Sequence, residues 1–319
     1  MDATTATPEK QAQEQGQTVR MSRSGVPRWA RLRLLVRMPL PLTAAVLLVL
    51  LTLVAVSGPL LASDVAERQD LDLRFAHPFD LSNGWLYVFG GDALGRSVLA
   101  QLAVGARATF LVASCAVALA AVLGFALGLV CGYRGGWLDG SIMRIADVLH
   151  TLPSLLLALA VLFVLSPSMT NLIVVLAITR LPVYMRVARA QALEIRERVF
   201  VEAARAMGAT RSRIMFRDVR PLITPTVLTV SMLELAQVML AAAGLSFLGV
   251  GLQRPDIDWG TMVAEGRGVL AEAWWVTVFP GLAIVVTALA ANILSNWMRA
   301  AGDPLQGGLL AASTLGRET

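Results

Sequence analysis

The stretch GARATFLVASCAVALAAVLGFALGLVCG, residues 105–132, carries a single charge, Arg107. As an α-helix it would be ~42 Å long, more than the ~30 Å hydrocarbon core of a bilayer. Its apolar residues follow one another without alternation, which speaks against a strand of a membrane barrel. The stretch is therefore expected to cross a membrane as a helix. Cys115 and Cys131 lie about one span apart within it, too far for a disulfide or a shared metal. Gly124 and Gly128 form a small-x-x-x-small pair suited to close helix packing.

Working outward, comparable runs occupy about 40–62, 142–165, 170–190, 222–250 and 274–300. The expected fold is all-α, a polytopic membrane protein with six transmembrane helices. Composition agrees: of 319 residues 56% are hydrophobic and 15% charged, too few charges to cover a soluble domain. The net charge of +5 invites a nucleic-acid reading, but its placement reads as membrane orientation instead. With the N-terminus inside, segments 1–38, 133–144, 186–221 and 299–319 hold 20 Lys and Arg, while 63–104 and 252–273 hold five. Both termini are expected in the cytoplasm, and the lipid bilayer is the surrounding partner. Residues 1–25 read as disordered, and PRWARLRLLVRMP (27–39) as a basic interfacial segment. A leader of about 38 residues is too long for a cleaved signal peptide.

Chemistry-bearing residues are sparse. His77 and His150 stand alone, no His-Glu-x-x-His is present, and no Gly-x-x-x-x-Gly-Lys-Ser/Thr loop offers a nucleotide site. An intramembrane enzyme would need clustered nucleophiles, carboxylates or metal ligands at depth, and none is visible. No catalytic or metal-binding residue is expected. Ionisable residues inside spans are the functional candidates. Glu234, flanked by Ser231 and Gln237, lies near the middle of the fifth span, with Arg180 at similar depth in the fourth. Arg180 and Glu234 are expected to pair. With Ser231 and Gln237 they either line a translocation path or lock two spans together. Asp147 is expected to pair with Arg144, three residues before it. Pro153 and Pro182 should kink their spans, and Trp259, Trp274 and Trp275 suit an interfacial aromatic belt.

The loop between the fourth and fifth spans reads RVARAQALEIRERVFVEAARAMGATRSRIMFRDVRPLITP, residues 186–225. Small residues recur at helical spacing in Glu202-Ala203-Ala204-Arg205-Ala206-Met207, and Gly208 then interrupts the helix formers. A bend or helix end is expected at Gly208, with Pro221 opening the next helix. Glu202-Ala203-Ala204, Gly208 and Pro221 resemble the loop by which permeases of ABC importers dock onto their ATPases. GGDALGRSVLAQLAVGAR (90–107), GYRGGWLDGSIMRIADVLHTLPSLLLAL (132–159), LSFLGVGLQRPDIDWGTMVAEGR (245–267) and WWVTVFPGLAIVVTALAANILSNWMRAAGDP (274–304) are similar to further blocks of that family. The chain is identified as a member of the C-type permease subunits of dipeptide, oligopeptide and nickel ABC importers.

The resemblance implies a type I importer permease core in the cytoplasmic (inner) membrane. The divisions would be a tail over 1–38, the first span and extracytoplasmic segment over 39–104, the five-helix core over 105–304 and a tail over 305–319. A coupling helix at 199–216 would present Glu202, Ala203, Ala204, Arg205, Met207, Gly208 and Arg211. Implied partners are a second homologous permease, two ATP-binding subunits or domains holding ATP and magnesium, and an extracytoplasmic peptide-binding protein. This chain would carry no cofactor. The implied cargo is a dipeptide or oligopeptide, with nickel chelates or another small solute as the alternative. The sequence departs from the family pattern at Gly91, where Thr is usual, at Ser97, where Asp is usual, at 218–222 after the loop, at Ala242 and at Arg299-Ala300.

Overall fold

The computed structural model describes residues 35–36 and 38–302, which leaves the tails 1–34 and 303–319, and the readings made of them, outside. Helices run over α1 (Pro39–Glu67), α2 (Val98–Arg134), α3 (Gly136–Thr151), α4 (Ser154–Val164), α5 (Met169–Arg196), α6 (Val199–Ala206), α7 (Arg211–Phe247), α8 (Trp259–Gly266) and α9 (Trp275–Gly302). Five of them, α1, α2, α5, α7 and α9, are long and apolar enough to cross a membrane. Among the described residues the only β pairing is an isolated bridge between Gly91 and Ser97.

The expected third span is not one straight helix. It is the pair α3 and α4, bent by 89° at Leu152-Pro153. Pro153 cannot donate a helical hydrogen bond, and the residue before a proline is pushed to extended backbone, as Leu152 is at ψ 133°. Counting the bent pair as one span gives six. Pro182, by contrast, lies within an unbroken α5.

α2 is the hub and packs against α1, α3, α5, α7 and α8. Its N-cap is Ser97, whose side chain accepts the Ala100 N–H, so the helix starts seven residues before the apolar run. α1 buries only Ala44, Ala55, Gly58, Ala62 and Ala66, and most of its Leu and Val residues are exposed. Small residues inside and large apolar residues outside are the arrangement of a helix facing lipid, where close approach drives association. The α2–α5 contact is the tightest. Gly124, Gly128 and Gly132 form one stripe on α2, and a Cβ on Gly128 would lie 2.3 Å from the Met185 carbonyl oxygen.

α7 is not uniform. After Arg211–Arg213 it widens to a π-helix over Ile214–Val219, where the Arg220 N–H bonds the Met215 carbonyl five residues back. Pro221 follows at once. Its ring would clash with a carbonyl four residues back in a regular α-helix, and the wider turn accommodates it. Pro221 thus stands in the first turn of the regular α-helical part, Arg220–Phe247, as expected, with the π turn leading into it without a break.

Two aromatic expectations change. Trp259 and Trp275 are fully buried, not interfacial. The indole Nε1 of Trp259 donates to the Leu102 carbonyl and that of Trp275 to the Gly91 carbonyl, which satisfies the polar edge of each ring. Trp274 remains half exposed. Cys115 is exposed, Cys131 is buried, and both are free thiols.

Candidate functional site

At one end of the bundle, α6 and the start of α7 form a projecting corner. Val201 is buried with Ile214, Met215 and Val219 in the main core, and Ala204 is half-buried against it. The Arg205 guanidinium lies 5.9 Å from the ring centre of Tyr133, at the last turn of α2. The helix ends at Gly208, with φ +82°. The Gly208 N–H bonds the Arg205 carbonyl and the Ala209 N–H bonds the Ala204 carbonyl, the paired closure of a helix that ends on a left-handed residue. Thr210 then caps α7 by accepting the Arg213 N–H.

Of the residues expected to couple, Glu202, Ala203, Arg205, Met207, Gly208 and Arg211 are exposed, and Ala204 is the anchor. Apolar side chains stand among them in the open: Val199 is 79% and Met207 82% exposed, and Phe216 is exposed beside them. The corner is thus fixed on its inner face and unfilled on its outer one.

Two ion pairs stiffen its base. Arg189 of α5 forks onto Asp139 of α3, Nε to Oδ1 at 2.5 Å and Nη2 to Oδ2 at 2.7 Å. Asp147 of α3 accepts from Arg186 of α5 at 2.8 Å, not from Arg144 as the spacing had suggested. Cross-helix geometry wins because Arg186 reaches Asp147 directly, whereas an i, i+3 pair is worth only ~0.3 kcal/mol. The Asp139 pair was missed, although an acidic residue in the first turn of an amphipathic helix was a usable signal.

Midway along the bundle, Arg180 Nη1 lies 3.7 Å from Glu234 Oε2, with the two side chains 17% and 8% exposed. That separation is an ion pair without a hydrogen bond, and both Arg180 Nε and Glu234 Oε2 are buried without a partner. Ser231, one turn earlier, accepts from the Tyr184 hydroxyl at 3.3 Å and donates to the Val227 carbonyl. Gln237 is exposed and does not join them. Three residues per step turns a helix by about −60°, so two steps carry Gln237 off the face that Ser231 occupies. Beside Arg180, the α3–α4 break opens a cavity of about 240 Å³.

The opposite end holds a polar cluster that sequence reading did not foresee. The buried Asp92 carboxylate accepts from the Leu94 and Arg96 N–H groups, Arg96 Nε and Gln101 Nε2. Gln101 Oε1 accepts from Arg254, which itself forks onto Glu265 at 2.6 and 2.7 Å. These groups tie the 90–97 loop to α2 and α8. The departures at Gly91 and Ser97 have structural counterparts. A Cβ on Gly91 would lie 2.3 Å from the Leu73 carbonyl oxygen, so a Thr there would displace the 71–73 turn. Ser97 supplies the N-cap oxygen, as an Asp would, but its hydroxyl also donates to the Leu86 carbonyl, which an ionised Asp could not do. Asp258 caps α8 by accepting from Thr261 N–H and Ser246 Oγ, and burial pushes its carboxyl above the usual range.

Among the described residues no group of three His, Cys, Asp or Glu is placed to hold a metal ion. Comparison with known proteins places these features. Residues 124–306 match the family described as binding-protein-dependent transport system inner membrane component. The chain is 37% identical over 270 residues to the probable D,D-dipeptide transport system permease protein DdpC of Escherichia coli, covering 85% of this chain and 89% of that protein. It is 36% identical over 258 residues to the di/tripeptide transport system permease protein DppC of Pseudomonas aeruginosa, covering 81% and 85%. It is 37% identical over 279 residues to the glutathione transport system permease protein GsiD of Escherichia coli, covering 86% and 89%. A chain of the inward-facing MetNI methionine ABC transporter superposes with a TM-score of 0.51 at 19% identity, covering 62% of this chain and 95% of that one, which bears on the fold alone.

Proposed function

The chain belongs to the family of binding-protein-dependent transport system inner membrane components, and on that footing we propose that it is the C-type permease subunit of an ATP-driven peptide importer. It would form half of a translocation path with a second, related permease. Two ATP-binding subunits or domains would supply ATP hydrolysis and magnesium, and an extracytoplasmic peptide-binding protein would deliver cargo. Peptides are favoured over nickel chelates because the named relatives carry dipeptides, tripeptides and glutathione. The excess of Lys and Arg in 1–38, 133–144, 186–221 and 299–319 supports a cytoplasmic location for both termini. The proposed division has tails at 1–38 and 305–319, a first span with its outer segment at 39–104 and a core over 105–304. The exposed aromatic Trp85, in that outer segment, suits contact with the binding protein.

The observation that carries this reading is the α6 corner. An eight-residue helix is anchored by Val201 and Ala204 and leaves Val199, Met207 and Phe216 exposed beside Glu202, Arg205 and Arg211. An exposed apolar patch rimmed by charge is what a partner groove would cover. Motion of the ATPases would then pass through 199–216 into α5 and α7. Arg180, Ser231 and Glu234 would lie at the path between those helices, with Gln237 turned toward the partner permease.

The test is a pull-down of the tagged chain from mild detergent. A Cβ at Gly208 meets nothing within 4 Å, so the cap tolerates Asn or Asp, which visit φ > 0 most readily among side-chain-bearing residues. Gly208→Asn should keep both the second permease and the ATPases. Gly208→Asp, which differs by one charge, should lose the ATPases and keep the permease. Recovery of no ATPase with the unmodified chain would refute the coupling role.

A further inference from the structure

The cavity at the α3–α4 break has His150, Thr151, Ser154, Thr179 and Arg180 in its wall. Its hydrogen-bonding groups are unevenly committed. The hydroxyls of Thr151 and Thr179 already donate to the Val148 and Leu176 carbonyls. Arg180 presents five donors in a planar fork, yet its ionic contact is the 3.7 Å approach to Glu234, and its buried Nε has no acceptor. Glu234 lies outside the cavity wall, so the cavity meets the cationic member of the pair.

A second set of donors converges from α4. Its N-cap is Pro153, which makes no side-chain cap. Leu157 is the first residue to bond back, to the Pro153 carbonyl, so the N–H groups of the preceding turn have no intrahelical partner. The positive end of an eleven-residue helix therefore opens beside the guanidinium. No carboxylate lies in the wall to consume either set.

We infer that this cavity is a binding site for a carboxylate, with Arg180 as the fork and the start of α4 as the second anchor. The ion pair with Glu234 is what makes the site usable. A lone buried guanidinium would be costly, whereas a long ion pair offsets that cost while leaving most of the Arg180 donors free for an incoming carboxylate. Resting on the import reading above, the carboxylate is the C-terminal one of a peptide in transit. At about 240 Å³ the cavity is smaller than the ~300–1,000 Å³ that encloses a drug-sized ligand, so it holds one end of a peptide and leaves the remainder in the path. Its depth fits, because Arg180 and Glu234 lie near the middles of α5 and α7, and helices broken at mid-depth offer the backbone donors that an anion needs.

The test uses the whole complex, with its ATPases and second permease, in nanodiscs. The chain carries Cys115→Ser, Cys131→Ala and a reporter, Thr151→Cys, in the cavity wall. Labelling rates with anionic and cationic methanethiosulfonate reagents are each divided by their rates with free glutathione. A preference of about tenfold for the anionic reagent is expected from a focused positive field. Arg180→Lys should keep the preference. Arg180→Gln with Glu234→Gln should abolish it without stranding a buried charge. Alanyl-alanine should slow labelling, and alanyl-alanine amide should not. No anionic preference, or one that survives the double substitution, overturns the site, and if radiolabelled dipeptide uptake into proteoliposomes then persists, the peptide reading stands without it. An Arg180-dependent preference with protection by acetate but not by dipeptides keeps the site and removes the peptide reading.

Discussion

Gly128 gives a prediction whose size and sign follow from the contact itself. On α2, a Cβ at this position would lie 2.3 Å from the Met185 carbonyl oxygen and 2.8 Å from the Ala188 Cβ, both on α5. The near atom is backbone, so no rotamer change can clear it. Ordinary contact needs ~1 Å more, and α2 and α5 must part by that amount at Gly128→Ala, a forced overpacking of about 1–3 kcal/mol. The loss does not stay local, because Gly124 and Gly132 make the same close approach to α5 one turn to either side, at 2.6 and 2.5 Å. Separating the helices also slackens the base from which Arg189 reaches Asp139.

The internal control is Gly244 on α7, where an added Cβ meets nothing within 4 Å. Helix propensity alone then acts, and Gly244→Ala should stabilise by about 0.5–1 kcal/mol. Thermal unfolding in mild detergent, followed by intrinsic Trp fluorescence, should show Tm lowered by about 3–9 °C for Gly128→Ala and raised by about 1.5–3 °C for Gly244→Ala, taking ~3 °C per kcal/mol. A Gly128→Ala protein as stable as the parent would refute the claim that α2 and α5 touch through backbone.

Other outcomes follow from single contacts. Gly208→Val has room for its side chain but not for φ +82°, so it should cost about 1–2 kcal/mol and release the α6 cap, seen as faster proteolysis after Arg205. Asp139→Asn leaves the Arg189 fork with one acceptor and should cost about 2 kcal/mol in the same thermal assay, and Arg189→Lys should also destabilise because an ammonium cannot span both Asp139 oxygens. For Asp258, burial raises the native carboxyl above its ordinary 3.8, so the folded chain keeps a proton that the unfolded chain has released. Stability should therefore fall as pH rises from that value to the raised native one and level off above it, a slope that Asp258→Asn removes from a plot of Tm against pH.

The long apolar runs made the spans legible, because a bilayer demands length and composition and little else. The α6 corner was legible too, since Gly208 is the one strong helix breaker between good helix formers. What escaped was set by partners distant in sequence. Asp147 had Arg144 nearby on its own helix, but Arg186 approaches it across 39 residues of chain. Asp92, Gln101, Arg254 and Glu265 form one network, in which the Arg254–Gln101 bond joins residues 153 apart. Trp259 and Trp275 looked interfacial because tryptophan favours that zone, and only the Leu102 and Gly91 carbonyls that receive their indole N–H groups explain their burial. Pro153 showed that a break was due; its 89° angle depends on α4 packing across α5.

These parts bear on one another through α5. It runs unbroken from Met169 to Arg196, and Arg180 stands about 24 Å along it from the end that leads into α6. Between them lie Tyr184, Met185 and Arg189, the residues that the glycine stripe of α2 touches most closely. A helix held by backbone contact along one face moves as a rod, since packed interiors transmit strain and do not absorb it. A displacement of the α6 corner by a partner would therefore reach Arg180 with little loss. α7 carries the same displacement to Glu234, but through the π turn at Ile214–Val219, where helix geometry is least regular. On the coupling proposed above, the two members of the pair would be driven from one corner through one stiff and one compliant helix. A change in their 3.7 Å separation is the expected result, and with it a change in how firmly Arg180 is held for a carboxylate in the cavity beside it.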